Sequence, residues 1–315
     1  MAQAIVQTQN LSRWYGQVIG ITDVNLEIGP GVTALLGPNG AGKSTLMKVL
    51  TGQLKPSNGS ARIFGQPIWN NPHVLSRMGL CPEQDAFYEE MSPFVFVSYL
   101  TRLHGYTAHE ADKIALRTLE IVDLVARKDD KIKTFSKGMR QRTKIAQAIA
   151  HDPDVLFLDE PLLGTDPIGR RRIIELAMEL GERGKTVIVS SHVLHEVEAM
   201  TSNILLINKG RLIADGDIYQ IRTMIDQHPH SIFIEADRPR EFASILTRFD
   251  DILGVSFEDE GIKVSTKDPN ACYDRIPRLA LEHKIQIRRL TSPDNDLAAV
   301  FRYLTQVGYQ QRAGA

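Results

Sequence analysis

The run Gly37-Pro38-Asn39-Gly40-Ala41-Gly42-Lys43-Ser44-Thr45 is flanked by two segments of different character. Before it stands the apolar stretch Val32-Thr33-Ala34-Leu35-Leu36, which reads as a short buried strand. After it, Leu46, Met47, Val49 and Leu50 are spaced for the inner face of a helix. Strand, glycine-rich loop and helix N-terminus in that order turn G-x-x-x-x-G-K-[ST] from a string match into a mechanism. Gly37, Gly40 and Gly42 keep side chains out of the way, so successive backbone N–H groups can wrap a phosphate. The helix end adds partial positive charge at the same place. Lys43 can then reach the β- and γ-phosphates, and Ser44 can offer its hydroxyl to Mg²⁺. An ordinary glycine turn has no need of Lys-Ser at this offset. The residues imply a nucleoside triphosphate.

Working outward, the 315 residues are long for one domain and comfortable for two. Apolar content of 43% and charged content of 24% belong to a globular protein with a real core. The 37 basic and 38 acidic residues give a net charge of -1, which argues against nucleic acid as a partner. Arg170-Arg171-Arg172 is the one compact basic run, and with Glu175 and Glu179 nearby it reads as a solvated helix face. Two cysteines, Cys81 and Cys272, fit no metal spacing and suit a reducing cytoplasm. The N-terminus lacks the layout of a signal peptide. No apolar run approaches the ~20 residues of a membrane helix, so membrane association is expected through a partner.

Upstream of the loop, Ile5 to Thr8 and Val24 to Ile28 read as strands. Tyr15, in Arg13-Trp14-Tyr15-Gly16, fits either stacking on a nucleotide base or packing at the surface, and spacing does not choose between them. Downstream, Ala61 to Phe64 and Met78 to Cys81 read as strands. The second runs into Glu83, Gln84 and Asp85, polar residues placed to meet Mg²⁺ or water. Met91 to about Leu124 is helical in pattern, and Ser136 is an N-cap candidate for a helix striped by Ile145, Ala148 and Ile149. Val155-Leu156-Phe157-Leu158 then reads as a fully buried parallel strand. Asp159 and Glu160 follow at its C-terminal end, where α/β sheets place their chemistry. There an Asp can hold Mg²⁺ and a Glu can activate water. Val187 to Ser190 is another buried strand, ending near His192, which could bond the γ-phosphate.

A break is expected near Asp226-Gln227-His228-Pro229. Beyond it the order strand, helix, strand, strand, helix, strand, helix suggests a ferredoxin-like split βαβ unit. Its first helix carries Phe242, Ile245, Leu246 and Phe249, and its last Leu297, Val300, Phe301 and Leu304. This part shows no catalytic constellation, so interaction or regulation is expected of it.

Over roughly residues 4 to 220 the chain resembles the ATP-binding subunit of an ABC transporter. Gly37 to Thr45 resembles the Walker A loop and Leu156 to Glu160 the Walker B strand with its catalytic glutamate. Phe135-Ser136-Lys137-Gly138-Met139 resembles the signature motif, Gly164-Thr165-Asp166 the D-loop and His192 the switch histidine. The resemblance implies an α/β P-loop NTPase domain over 1–225. That domain has an N-terminal antiparallel β part and a helical subdomain at about 88–150, and a small α+β domain follows at 228–315. It implies that Tyr15 stacks on adenine and that Ser136, Gly138 and Asp166 join Gly37 to Thr45 in binding ATP. Glu160 and His192 would be catalytic, and Ser44, Gln84 and Asp159 would hold Mg²⁺. Strict alignment puts Glu83 at the Q-loop position with Gln84 just after it, and the choice between them stays open. Lys137, Met139 and Thr165 depart from the commonest family pattern, though Ser136 and Gly138 remain.

The family mechanism closes two copies head to tail, each ATP lying between one Walker A loop and the other copy's signature. A separate membrane permease would be the partner, with the chain peripheral on the inner face of the cell membrane. The C-terminal part leans the reading toward export. A soluble ABC-type ATPase acting on the ribosome or DNA is the rival, and it usually carries two ATPase units, long coiled coils or basic arms. A scaffold that binds ATP without turning it over is disfavoured by Glu160 and His192.

Overall fold

An all-apolar strand is stable only when both of its faces are covered. The computed structural model, which describes residues 4–217, 230–258 and 261–291, meets that need with two sheets and a layer of helices. The chain divides into two compact units, 1–217 and 218–315.

The first unit opens with β1 (Val6–Tyr15), β2 (Val18–Ile28), β3 (Gly31–Leu36), α1 (Lys43–Leu50), β4 (Asn58–Ile63), β5 (Gln66–Pro67), α2 (Pro72–Leu75) and β6 (Met78–Cys81). Next come α3 (Pro93–Leu103), α4 (Ala108–Ile121) and α5 (Lys137–Ile149), the helical part read from the sequence. It closes with β7 (Val155–Leu158), α6 (Pro167–Glu182), β8 (Thr186–Ser191), α7 (Leu194–Glu198), β9 (Asn203–Asn208) and β10 (Arg211–Asp217). One sheet runs β10-β9-β3-β8-β7-β6, parallel from β9 to β6 with β10 antiparallel at its edge. The other is antiparallel, in the order β2-β1-β4-β5.

Side chains along the parallel strands alternate between two cores. Leu35, Phe157, Ile188 and Leu205 share a cluster with Leu46 and Met47 of α1 and with Val6, Ile21 and Ile63 of the antiparallel sheet. Leu156, Leu158, Val187 and Val189 join Phe96, Leu119, Ile145 and Ile173 from the helices. Each such side chain, fully buried, contributes about 1.5–3 kcal/mol. Helices α2 to α6 are each started by a side chain that accepts one of their first N–H groups. Ser92 accepts from Val95 N at 3.3 Å, and Thr107 and Glu110 form a reciprocal capping box at the head of α4. No helix among the described residues is long and apolar enough to cross a membrane.

β1 is longer than the four residues read from the sequence. It continues to Tyr15 through register shifts after Thr8, with Asn10 in the left-handed region at φ +48°. A bulge adds a residue and breaks period-two alternation, which hides the rest of the strand from a pattern reading.

In the second unit, β11 (His230–Ala236), β12 (Ile252–Glu258), β13 (Gly261–Thr266) and β14 (Ile287–Thr291) form an antiparallel sheet ordered β12-β13-β11-β14. That is the split βαβ order. Helices Pro239–Leu246 and Pro269–Glu282 supply Phe242, Leu246 and Ile276 to a core with Ile232, Ile234, Ile262 and Val264. Phe249 lies past the end of its helix, in the turn that follows, under the guanidinium of Arg275 at 4.0 Å. The expected break at Asp226 to Pro229 and the stripe Leu297 to Leu304 lie outside the described residues. Cys81 and Cys272 are unpaired and buried, and burial pushes their thiols up to about 12 and about 11.

Candidate nucleotide site

A cleft of about 570 Å³ opens where β3 ends and α1 begins. That is the size range of small-molecule sites. Its walls include Tyr15, Pro38 to Thr45, Glu83, Glu160 and His192, with Val18, Ile19, Gly20 and Leu163.

The loop is shaped by what lies behind it. Gly42 sits at φ +109°, and a Cβ there would stand 2.6 Å from Gly20 O. At Gly37 a Cβ would meet Ile207 O at 2.5 Å. Both positions admit only glycine, because the strand ends of two neighbouring segments press against the loop. The same loop turns its own carbonyls inward. Lys43, only 6% exposed, donates from Nζ to Gly37 O at 2.7 Å and to Pro38 O at 3.4 Å.

Lys43 Nζ also pairs with Glu160 Oε1 at 3.2 Å, and the glutamate side chain is 10% exposed. The other carboxylate oxygen, Oε2, meets His192 Nδ1 at 2.9 Å. A carboxylate only accepts, so the histidine places its proton on Nδ1. Glu160 has φ +48°, a region side-chain-bearing residues rarely occupy. Its N–H donates to Ser190 Oγ at 2.8 Å, and that hydroxyl donates to Asp159 Oδ1 at 2.5 Å. Asp159 is buried, its own N–H bonded to Cys81 O at 2.9 Å.

The remaining sequence candidates fall into two groups. Glu83 lines the cleft, whereas Gln84 is exposed and is not among the lining residues. Ser136, Gly138 and Asp166 lie apart from the lining of this cleft and beside one another. Ser136 Oγ caps α5 by accepting from Met139 N at 3.3 Å, and Asp166 Oδ1 caps α6 by accepting from Gly169 N at 2.7 Å. A Cβ on Gly138 would reach Gly164 O at 3.8 Å, so the start of α5 and the turn before α6 share one surface.

α5 is tied to the segment after Glu83. Arg140 donates to Asp85 Oδ2 at 2.6 Å and to both oxygens of Glu89, with the Phe87 ring 5.1 Å below its guanidinium. The buried Lys144 donates to Glu83 O at 2.7 Å and pairs with Asp85 at 3.1 Å. Burial raises the Asp85 carboxyl, but the bonds from Arg140 and Lys144 outweigh it and hold it below the usual range.

Sequence reasoning missed Val18, Ile19 and Leu163, exposed apolar residues with no distinguishing pattern, and Ser190. For Ser190 a signal existed: a hydroxyl closing the apolar run Val187-Ile188-Val189, one strand over from two carboxylates.

Residues 21–163 match the family described as ABC transporter. The linearmycin resistance ATP-binding protein LnrL of Bacillus subtilis (strain 168) is 35% identical over 214 residues, covering 67% of this chain and 69% of that one. The Nod factor export ATP-binding protein I of Cupriavidus metallidurans is 33% identical over 220 residues, 69% of this chain and 73% of its own. A solved ATP-binding subunit of an ABC transporter superposes with a TM-score of 0.65 at 27% identity, over 70% of this chain and 93% of that chain. A dimeric ATP-binding cassette in a post-hydrolysis state, bound to ADP and Pi, gives a TM-score of 0.63 over 68% and 99% of the two chains. At 23% identity that likeness is one of fold.

Proposed function

The chain belongs to the ABC transporter family of ATP-binding proteins, and from that premise we propose that it hydrolyses ATP to energise export through a separate membrane permease. The observation that carries the ATPase reading is the triad Lys43–Glu160–His192 at the mouth of the glycine loop. Lys43 leaves the carbonyls and Glu160 to meet the β- and γ-phosphates, which frees Oε1 for a water. Glu160 takes a proton from that water as its oxygen bonds to the γ-phosphorus, and the bond to the ADP oxygen breaks. His192 holds Oε2 and so fixes the direction in which the carboxylate points.

Tyr15, at one wall of the cleft and 43% exposed, is available to stack on adenine. Asp159 and Ser44 offer hard oxygen donors of the kind Mg²⁺ takes, and the described hydrogen bond of the Asp159 carboxylate uses Oδ1 alone. Mg²⁺ bound there would neutralise phosphate charge. Glu83 or Gln84 would complete that shell, and the lining of the cleft supports Glu83.

Ser136, Gly138 and Asp166 form a shared surface that does not line their own chain's cleft. This supports a second copy, whose signature helix closes each ATP from outside. The export direction is supported by the relative named for Nod factor export. With its own described helices unable to span a membrane, the chain would sit at the inner face of the membrane, held by the permease. The test is gentle extraction of the native complex followed by identification of its subunits. A multi-helix membrane protein in stoichiometric amount is expected, and a complex without one would overturn the transporter reading.

A further inference from the structure

Ser190 is fully buried near the end of β8, directly after the apolar run Val187, Ile188 and Val189. Packing alone asks for another apolar side chain there. The hydroxyl instead makes two bonds whose direction the chemistry settles. It donates its single proton to Asp159 Oδ1 at 2.5 Å, and accepts the N–H of Glu160 at 2.8 Å. The parallel register explains the placement. Leu158 of β7 lies opposite Val189 of β8, so one step beyond the strand end the carboxylates and the serine come side by side.

We propose that Ser190 is a positioning residue for the hydrolytic machinery, one hydroxyl setting both the orientation of the Asp159 carboxylate and the backbone of Glu160. This rests on the ATPase reading above. Glu160 is held at φ +48°, which a side-chain-bearing residue adopts only where its surroundings over-determine it. The Ser190 bond to its N–H is one such constraint, beside the bonds of its carboxylate to Lys43 and His192 and the Leu163 N–H donated to its carbonyl at 3.2 Å. Remove the hydroxyl and Asp159 loses a donor while Glu160 loses the acceptor that fixes its peptide. The metal-facing and water-facing carboxylates then lose their common reference.

The test compares Ser190→Ala, Ser190→Thr and Ser190→Cys in the full chain. The readouts are phosphate release, binding of a fluorescent ATP analogue with EDTA or with Mg²⁺, and the melting temperature. Losing a partner that orients a metal ligand typically costs about 10–100-fold, and that is the fall expected in kcat for Ser190→Ala and in the gain of affinity that Mg²⁺ confers. Binding in EDTA, which depends on the loop alone, should stay within about threefold. Ser190→Thr, which keeps the hydroxyl, should restore both quantities, whereas Ser190→Cys, a weak donor, should resemble Ala.

A Ser190→Ala chain that melts like wild type and matches it in kcat and in the Mg²⁺ gain would overturn the proposal while the ATPase reading stands. If wild type itself releases no phosphate, the ATPase reading fails. The Mg²⁺ gain, lost or kept in Ser190→Ala, still decides whether the serine orients Asp159. If Ser190→Ala does not fold, Thr and Cys decide: equal behaviour in both readouts refutes the role, and recovery in Thr alone upholds it.

Discussion

Replacing Glu160 by Gln separates the proposed role of its carboxylate as general base from its pairing with Lys43. The side chain keeps its length and a carbonyl oxygen for the His192 Nδ1 proton, so the loop geometry survives. What is lost is the charge. If the carboxylate is the general base proposed above, it is worth about 10²–10⁴ in rate, so phosphate release at saturating ATP should fall by that factor. The same charge holds Lys43 at 3.2 Å between side chains only 6% and 10% exposed. At an effective dielectric near 20 the attraction is about 5 kcal/mol before either ion's lost hydration is deducted. A bond to a charged group retains about 1.5 kcal/mol net, and that is what ATP must displace to recruit Lys43. Its removal should therefore tighten ATP binding by about tenfold. Fluorescent-nucleotide titration and phosphate release on the same preparation read both effects. Hydrolysis within about threefold of wild type would refute the assignment of the base. An unchanged affinity would show that the pair does not compete with nucleotide.

Three further outcomes follow from other parts of the molecule. Gly42→Ala places a Cβ 2.6 Å from Gly20 O at φ +109° and should cost about 2–4 kcal/mol of stability. Calorimetry that finds the variant as stable as wild type would contradict the loop geometry. Chains carrying Lys43→Ala or Gly138→Asp should each be nearly inactive alone. Mixed one to one they should recover about a quarter of the wild-type rate, since half the dimers are mixed and each keeps one intact composite site. No recovery would rule out a site shared between copies. His151 stacks on His104 with ring centroids 3.8 Å apart, its Nε2 2.9 Å from Met78 O. Burial and then the neighbouring His104 push its pKa from 6.5 down to about 4. The unfolded chain then binds more protons between those values. The contribution to stability is complete above pH 6.5 and lost as pH falls toward 4. His151→Phe keeps a stacking ring that cannot titrate, so its melting temperature should fall less across that window. Parallel slopes in the two chains would refute the argument.

The elements proposed to carry the nucleotide chemistry are legible because each is announced by local rules. The glycines and Lys43 mark a loop, the apolar run before Asp159 marks a strand buried on both faces, and Ser136 marks a helix start. The order β10-β9-β3-β8-β7-β6 is not legible in that way, since parallel neighbours are joined through long crossovers and no short pattern names the partner. The stretch of β1 beyond Thr8 was hidden by a bulge at Asn10. Ser190 has only a weak signature in the sequence, because a serine near a strand end is ordinary until its bonds to the Asp159 carboxylate and the Glu160 N–H are seen. The contact of Lys43 with Glu160 joins residues far apart in sequence and has no one-dimensional signature.

The two cysteines have a practical consequence. Both lie buried with thiols too basic to form thiolate near neutral pH, so the natural chain is close to silent toward maleimides and nitroxide reagents. A cysteine introduced at Ile168, 73% exposed at the head of α6, would be the one reactive thiol. A spin label there needs no cysteine-free background, and the proposed approach of two copies on adding ATP becomes a distance that can be read directly.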